Sequence, residues 1–400
     1  MKHIEVDKEK CCGCGACQAV CPVNSIQMQP DELGFVYPVV QEGTCIECGK
    51  CTSVCQVGSP VLNEMEKQKY YAAQHKDKET RMESSSGGVF WALAQVVMED
   101  GGCVYGAAFD ENWTVRHEAA GNLDEVKKFR GSKYIQSKNE VYESVLDNLK
   151  KGRIVLYTGT PCQCQGILQY VNSKKVATDN LFLVDFVCHG VGSPAVWEKY
   201  VEWLEKKKGQ IQFVTFRDKE NGWNKFRTKI LNTNSEDVSQ NTYSYFEMYS
   251  SLLTTRNSCF KCDFTDYRRC SDLTMGDFWN IGTLENDMDS ESGVSQVLVN
   301  TEKGQKLLEN AGAMLHLLEC TKKDCWQPHL EYPIEKPRGR EEFRKMFSEQ
   351  EFETVLKKYG NGTKLGYLKK LMVAVVKKLG LYVVAGKLFK IITSAGRKSE

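Results

Sequence analysis

A cysteine-rich stretch lies at residues 11–22, CCGCGACQAVCP, and its spacing recurs at residues 45–55 as CIECGKCTSVC. Each run has the form C-x2-C-x2-C-x3-C, in which three closely spaced thiolates hold one [4Fe–4S] cube and the fourth reaches the other cube. Three thiolates so close in sequence can wrap one face of a cube only where the backbone curls tightly, and Gly15 and Gly49 suit that path. The spacing therefore predicts a two-cluster ferredoxin.

Two sets of four ligands follow from this spacing. The first cluster is predicted to use Cys11, Cys14, Cys17 and Cys55. The second is predicted to use Cys45, Cys48, Cys51 and Cys21, which leaves Cys12 over. A four-cysteine zinc site does not fit, because such sites pair two knuckles across a longer gap.

The composition is that of a globular protein, and the predicted cysteine clusters indicate a reducing environment. The 400 residues are enough for two or three domains, and 41% are hydrophobic and 26% charged. A net charge of +1 gives no general attraction to nucleic acid, so no nucleic-acid partner is expected. No signal-peptide segment or membrane-spanning run is evident, and thiolate clusters need a reducing compartment. The cytoplasm is the expected location.

A serine- and glycine-rich loop, SSSGG at residues 84–88, precedes an apolar stretch at residues 89–98 that predicts a buried helix. A helix N-terminus preceded by glycines and hydroxyls offers free backbone N–H groups to an anion, so a phosphate site is one interpretation. A serine N-cap and a flexible turn would explain the same residues without a ligand.

Two strand–loop–helix units follow and predict an α/β domain. The first has a strand at residues 154–157 and a loop that ends in Cys162, and the second has a strand at residues 181–187 and a loop that begins with Cys188. Ser193 and Pro194 then form a helix start. Ligands of open α/β sheets gather at the carboxyl ends of strands, where both cysteines lie. Each cysteine is a candidate metal ligand, reactive thiol or buried apolar residue.

A further cysteine group follows a predicted hairpin at residues 211–230. Cys259 and Cys262 form C-x2-C, and Cys270 lies eight residues beyond. With Cys162 or Cys188 as a fourth ligand they predict a third [4Fe–4S] cluster, and a zinc knuckle or structural thiols are the alternatives. The turn at residues 274–279 is interpreted as a core turn in which Asp277 caps local amides. The remaining cysteines are expected to be structural: Cys103, Cys164, Cys320 and Cys325.

The C-terminal segment, residues 363–400, is basic and amphipathic. It has nine positive side chains and one negative, with apolar residues between them. Such a segment can lie on an anionic membrane surface, which would give peripheral membrane contact. A helix packed on the protein by its apolar face is the alternative.

Five motifs, in order, resemble the coenzyme F420 hydrogenase/dehydrogenase beta-subunit family, which includes plant hydroxymethyl chlorophyll reductase. They are SSGG at 85–88, GTPCQ at 159–163, DFVCHG at 185–190, SCFKC at 258–262 and GDFW at 276–279. The resemblance runs from about Tyr70 to about Pro337. An N-terminal dicluster ferredoxin is similar to that of many bacterial members.

The resemblance implies an α/β flavoprotein in which FAD lies beside an iron–sulfur cluster. By analogy the flavin would lie near Ser85, Ser86, Gly87, Gly88, Gly159 and Thr160. The third cluster would take its ligands from Cys162, Cys188, Cys259, Cys262 and Cys270. No G-x-G-x-x-G follows a predicted strand, so a Rossmann dinucleotide fingerprint is absent.

The expected fold is an α+β dicluster ferredoxin domain (1–60), an α/β flavin-binding region (70–210 and 211–337) and a basic helical tail (338–400). The expected function is an iron–sulfur flavin oxidoreductase that passes electrons from a low-potential donor through the clusters to FAD and a small organic or deazaflavin-like substrate. A non-enzymatic electron-transfer subunit that serves a redox partner protein is the main alternative. A ferredoxin-linked thiol reductase using Cys162 or Cys188 is a further one.

Overall fold

The structure is a computed structural model, and it describes residues 3–5, 7–58, 60–63, 68–239 and 243–361. The predicted amphipathic segment at residues 363–400 lies outside the described residues. Among the helices that are described, none combines the length and the apolar composition needed to cross a bilayer.

The N-terminal region is a small ferredoxin-like domain, as predicted. Its elements are α1 (Ala16–Ala19), β1 (Ile26–Pro30), β2 (Val36–Val40) and α2 (Lys50–Ser53). The two strands pair antiparallel, with Ile26 opposite Val40. Each short helix begins directly after a glycine with positive φ, 93° at Gly15 and 72° at Gly49. This left-handed turn, which glycine adopts without a steric penalty, lets each cysteine run curl on itself.

The body of the molecule is built on one mixed sheet of eight strands. These are β3 (Lys69–His75), β4 (Cys103–Phe109), β5 (Val115–Ala120), β6 (Val155–Thr158), β7 (Leu181–Phe186), β10 (Leu273–Asp277), β11 (Ser295–Val299) and β12 (Leu315–Cys320), in the order β12-β3-β11-β10-β7-β6-β4-β5. The four central strands β10, β7, β6 and β4 run parallel, and the flanking strands pair antiparallel. The carboxyl ends of the parallel strands therefore meet along one edge.

Helices cover this sheet and connect its strands. They are α3 (Lys78–Met82), α4 (Val89–Glu99), α5 (Leu123–Val126), α6 (Tyr142–Lys150), α7 (Pro161–Ser173), α8 (Pro194–Lys208), α9 (Tyr245–Ser250) and α10 (Glu302–Asn310). The predicted strand–loop–helix units are present as β6–α7 and β7–α8. Ser193 caps α8 by accepting a hydrogen bond from the Val196 N–H at 3.1 Å.

The predicted hairpin is formed by β8 (Ile211–Asp218) and β9 (Arg227–Asn232), which pair antiparallel. It shares an aromatic-rich core with α8, with α9 and with two further helices, α11 (Arg340–Glu349) and α12 (Phe352–Tyr359). Phe343 and Val355 are fully buried there. The described start of the predicted tail is thus helical and belongs to this core.

The ferredoxin-like domain packs closely against the body. Apolar residues of the domain, including Ala16 and Val20, share a core with Tyr142 of α6 and Ile167 of α7. The Tyr142 hydroxyl donates to the Cys14 carbonyl oxygen at 2.7 Å. This contact places the first cysteine run against the α/β body and leaves the second run toward the surface.

Candidate functional site

A cavity of about 670 Å³ opens at the carboxyl ends of the parallel strands. Its walls include residues 158–163 after β6, residues 186–191 after β7, and residues 275–277 at the end of β10. Ligands of open α/β sheets bind at this edge, and the volume lies within the range of about 300–1,000 Å³ found for small-molecule sites.

The serine- and glycine-rich loop forms one wall of the cavity. Ser85, Ser86 and Gly88 line it, as do Gly159 and Thr160 on the opposite loop. The N-cap of α4 is Gly88, with φ 85°, and no side chain caps this helix, so the serine-cap interpretation is wrong.

Gly87 is outside the lining because it packs against the sheet. Its N–H donates to Ser295 Oγ at 2.9 Å, and a Cβ atom here would lie 2.4 Å from the Ala73 carbonyl oxygen. Gly87 therefore lets the loop approach the sheet more closely than any residue with a Cβ atom would allow.

Lys219 holds the loop in place from below. Its side chain is 2% exposed, and Nζ donates to the carbonyl oxygens of Arg81 at 2.8 Å, Ser86 at 2.7 Å and Ser292 at 2.7 Å. Burial lowers the pKa of Lys219 to about 7. The three carbonyls accept all three protons of the ammonium group. The sequence shows only a lysine in a polar connection, so this role was missed.

Arg217 and Asp277 form a buried ion pair on the cavity wall. The guanidinium donates to both carboxylate oxygens, at 2.9 and 3.0 Å, and to the Ser85 carbonyl oxygen at 3.0 Å. Burial disfavours the charge, but the Asp277 carboxylate raises the pKa of Arg217. Asp277 thus pairs with a side chain from β8 instead of serving only as a local cap. The pair ties the end of β10 to the serine loop.

A second loop, residues 130–134, faces the serine loop. The N–H of Ser132 donates to Ser85 Oγ at 2.7 Å. Lys133 lines the cavity, with Nζ donating to the carbonyl oxygens of Lys128 at 2.7 Å and Arg130 at 3.0 Å. Burial lowers the pKa of Lys133 to about 7. Arg130 and Arg217 also line the cavity, and each is already paired with a carboxylate, that of Glu83 and that of Asp277 respectively.

Five cysteines line the cavity, and four of them, from three parts of the α/β body, are candidate ligands of the third cluster: Cys162, Cys188, Cys259 and Cys262. We call them the inner set. Cys162 lies in the first turn of α7, Cys188 follows β7, and the remaining two belong to the short 3-10 segment Asn257–Lys261 and its end. Burial, followed by the charge of Cys259, raises the pKa of both Cys188 and Cys262, the latter to about 12. Iron binding requires the thiolate form of these cysteines. The positively charged iron–sulfide core of a cube would compensate the free-energy cost of deprotonating buried thiols.

Cys270, the fifth candidate, is placed elsewhere. It is absent from the cavity lining and shares a core with Cys164 beside α7. Burial and then the neighbouring Asp185 raise its pKa. The structure therefore brings four of the five candidate thiols together and leaves Cys270 behind the cavity wall.

Cys12, which the spacing left over, faces the inner set. It lines the cavity, and the Gln56 side chain donates both to Cys12 Sγ at 3.1 Å and to the Cys162 carbonyl oxygen at 2.7 Å. The adjacent Cys11 belongs to the first predicted ferredoxin set. Cys11 thus belongs to the first ferredoxin set while the next residue, Cys12, lies at the inner set. The two sets come close to each other only because the ferredoxin-like domain packs against the body.

The two ferredoxin sets differ in exposure. Burial, followed by the charges of Cys11 and Cys55, raises the pKa of Cys17 to about 12, which places these members of the first set together beside the body. The second set, which we call the outer set, lines a shallow surface recess and consists of Cys21, Cys45, Cys48 and Cys51. Cys48 is exposed.

In the described ranges, no three His, Cys, Asp or Glu side chains stand close enough to hold a single metal ion. The ligands of a cube bind separate irons. Of the other cysteines, Cys103 and Cys164 are buried. Cys320 and Cys325 are companions that the spacing did not reveal, with Sγ atoms 3.5 Å apart.

Comparison with known proteins identifies two matching families. Residues 10–59 match the 4Fe-4S dicluster domain, and residues 152–323 match the family described as the C terminus of the coenzyme F420 hydrogenase/dehydrogenase beta subunit. The fold and these matches define an iron–sulfur electron-transfer protein related to oxidoreductase subunits. The larger part of the body thus matches the C-terminal region of this beta-subunit family and the N-terminus matches a dicluster ferredoxin domain, which confirms the resemblance.

Two curated relatives come from methanogenic archaea. One of the subunits of the F420H2 dehydrogenase of Methanosarcina mazei is 23% identical over 87% of this chain and 96% of its own length. An uncharacterised protein of Methanocaldococcus jannaschii is 26% identical over 78% of this chain and 89% of its own length. Among solved structures, a chain of the F420-reducing [NiFe] hydrogenase complex from Methanosarcina barkeri matches with a TM-score of 0.43 and 18% identity, over 72% of this chain and 90% of that chain.

Proposed function

We propose that this chain is an iron–sulfur flavoprotein oxidoreductase that carries electrons from a low-potential donor through three [4Fe–4S] clusters to FAD and on to a small organic or deazaflavin-like substrate. The observation that carries the proposal is the cavity, whose lining includes the four cysteines of the inner set as well as Lys133 and the serine-rich loop. A flavin dinucleotide needs both a redox neighbour for its ring and cations for its phosphates. The volume of about 670 Å³ is of the right order for most of such a ligand.

The phosphate end of the proposed flavin site is built by the two facing loops. The serine hydroxyls, the start of α4 and the side chains of Lys133 and Arg217 are the groups that would hold a pyrophosphate there. Lys219 and the Arg217–Asp277 pair fix the serine loop before any ligand binds. Such preorganisation lowers the entropic cost of binding.

The electron path proposed here follows the packing of the domains. The inner set would hold the third cluster, and it lies beside Cys12, next in the chain to a predicted ligand of the first cluster. A cube passes electrons singly, and FAD, when bound, would supply the conversion between single electrons and a hydride. The outer set, exposed at Cys48, would be the point at which a redox partner protein exchanges electrons.

The name of one relative supports partner subunits and a deazaflavin substrate for this chain. One relative belongs to a dehydrogenase of F420H2, a deazaflavin. We propose that this chain likewise works with partner subunits in the cytoplasm. Residues 363–400, with nine positive charges and one negative, would hold it at an anionic membrane surface.

The decisive experiment is an anaerobic cofactor inventory on protein reconstituted with iron, sulfide and FAD. Three cubes and one flavin would give about twelve irons and one FAD per chain. Stoichiometric reduction of an added deazaflavin by a reduced ferredoxin, without a partner subunit, would then establish an enzyme. About eight irons and no retained flavin would contradict the proposal and leave a dicluster electron carrier.

A further inference from the structure

Arg256 is a buried cation at the junction of the ferredoxin-like domain and the body. It is 0% exposed. Its guanidinium donates to the carbonyl oxygens of Cys11 at 2.8 Å and Val36 at 3.0 Å, and to Gln136 Oε1 at 2.8 Å. All three acceptors are neutral, and the described residues give Arg256 no carboxylate partner. Its charge is therefore not offset by any ordinary acidic side chain.

The ferredoxin-like domain is shaped around this guanidinium. Its central carbon lies 4.2 Å from the ring centre of Tyr37 and 5.4 Å from that of Phe35. A Cβ atom on Gly13, between two predicted ligands of the first cluster, would lie 2.8 Å from Nη1 of Arg256. The ligand loop thus leaves room for the cation only because residue 13 is glycine.

Predicted cluster ligands that can carry negative charge lie beside Arg256. Nη2 of Arg256 lies 3.8 Å from Cys11 Sγ in the first set. Cys259 of the inner set is three residues further along the chain, and its N–H donates to the Arg256 carbonyl oxygen at 3.2 Å. A buried charge without compensation costs several kcal/mol, and neutral acceptors and aromatic faces recover only part of that cost. Four thiolates around a cube provide the missing negative charge.

We propose that Arg256 makes the first cluster and the inner cluster easier to reduce than the outer cluster. This inference rests on the three-cluster function proposed above. A fixed positive charge stabilises the more negative, reduced form of a nearby cluster, and in a buried site water screens it weakly. The cation in the outer run, Lys50, is exposed at the surface, so solvent and salt weaken its effect.

Two variants remove the charge in different ways. R256Q removes the cation itself. Q136E instead places a carboxylate where Gln136 now accepts from Nη1 at 2.8 Å, so it offsets the charge and keeps the guanidinium, and it gives up the hydrogen bond that the Gln136 amide donates to the Cys12 carbonyl oxygen at 2.9 Å. R256K retains the charge and loses the planar fork. The control R81Q removes another buried arginine that donates to backbone carbonyls, at 2.7 and 2.9 Å, and that differs from Arg256 in having a carboxylate partner, Asp289, at 3.4 Å.

The measurement is a redox titration of the reconstituted full chain, followed by electron paramagnetic resonance, with iron content determined first. At the potential that half-reduces the wild-type inner or first cluster, R256Q and Q136E should lower the reduced-to-oxidised ratio by about tenfold, or about 59 mV for one electron. The outer cluster should move less, and R256K and R81Q should remain near wild type.

The inference is overturned if R256Q and Q136E leave these ratios unchanged, if all clusters shift equally, or if R256K shifts as far as R256Q. Should R256Q fail to load iron, Q136E decides the question. A wild-type content of about eight irons without flavin would instead refute the proposed function, before any potential is measured.

Discussion

The outer and inner cysteine sets show two ways of building a site from the same side chain. The outer set comes from two short runs in the first 55 residues and lies at the surface. The inner set joins α7, the end of β7 and the Asn257–Lys261 segment, and it is enclosed by the body. Local backbone curvature is enough for three of the four outer ligands, and the fold of the small N-terminal domain brings Cys21 to them. The second kind exists only after the eight-stranded sheet has formed.

This difference also separates the tasks of the two sites. An exposed cluster can exchange electrons with a partner protein, and a buried one can serve a ligand from which water is excluded. Exposure and neighbouring charge are among the factors that tune cluster potentials. The two sets should therefore respond differently to mutation.

The largest effect is expected from loss of an inner ligand. C259S should remove about four of twelve irons and abolish reduction of bound FAD by reduced ferredoxin, because the last cluster before the flavin is missing. Iron analysis and anaerobic stopped-flow absorbance would measure this. The matched variant C270S should retain all irons and normal flavin reduction, since Cys270 lies outside the cavity. Equal loss of iron in both variants would refute the proposed ligand set.

Loss of an outer ligand should be more selective. C48S should also lose about four irons, and it should slow electron transfer from ferredoxin. Reduction of the flavin by a small chemical reductant should remain near wild type, because the cavity and the inner set are untouched. If FAD is released from C48S, the two sites are not independent and the comparison fails.

The serine loop should depend on its buried anchor. K219M leaves three carbonyl oxygens without their donor, which should lower the free energy of unfolding by about 2–4 kcal/mol. Thermal unfolding of the anaerobic protein would report the loss, together with weaker FAD binding. The surface variant K150M should change stability by no more than about 0.5 kcal/mol. Unchanged FAD affinity in K219M would separate the loop from the flavin site.

The smallest effect concerns pH. Burial lowers the pKa of Lys133 to about 7, so this side chain is cationic below that pH and increasingly neutral above it. An anionic ligand binds the cationic form better, so FAD affinity should fall by up to about tenfold as the pH rises from about 6 to about 8. Fluorescence titration would measure it. K133M should flatten the profile, whereas K127M, on the exposed side of the same region, should not.

Local sequence patterns predict much of the fold. The strand–loop–helix units, the hairpin and the Ser193 cap were predicted because apolar runs and turn residues act over short distances. The N-cap of α4 was predicted less well, since serine and glycine both suit that position and only the packing of the loop selects Gly88. Lys219 and Arg217 carried no local signal, because their partners lie far away in the sequence.

What the sequence determined by itself was the chemistry of the ferredoxin runs, since three thiolates a few residues apart can share one cube where the backbone curls tightly, and the spacing also shows that the fourth ligand comes from the other run. The C-x2-C motif that begins at Cys259 predicted a further cluster site but did not show which other cysteines complete it. The tertiary structure decided that Cys162 and Cys188 face that pair, that Cys270 does not, and that Cys12 and Arg256 lie between two predicted clusters. These contacts join residues up to 245 positions apart, and only packing of the domains brings them together.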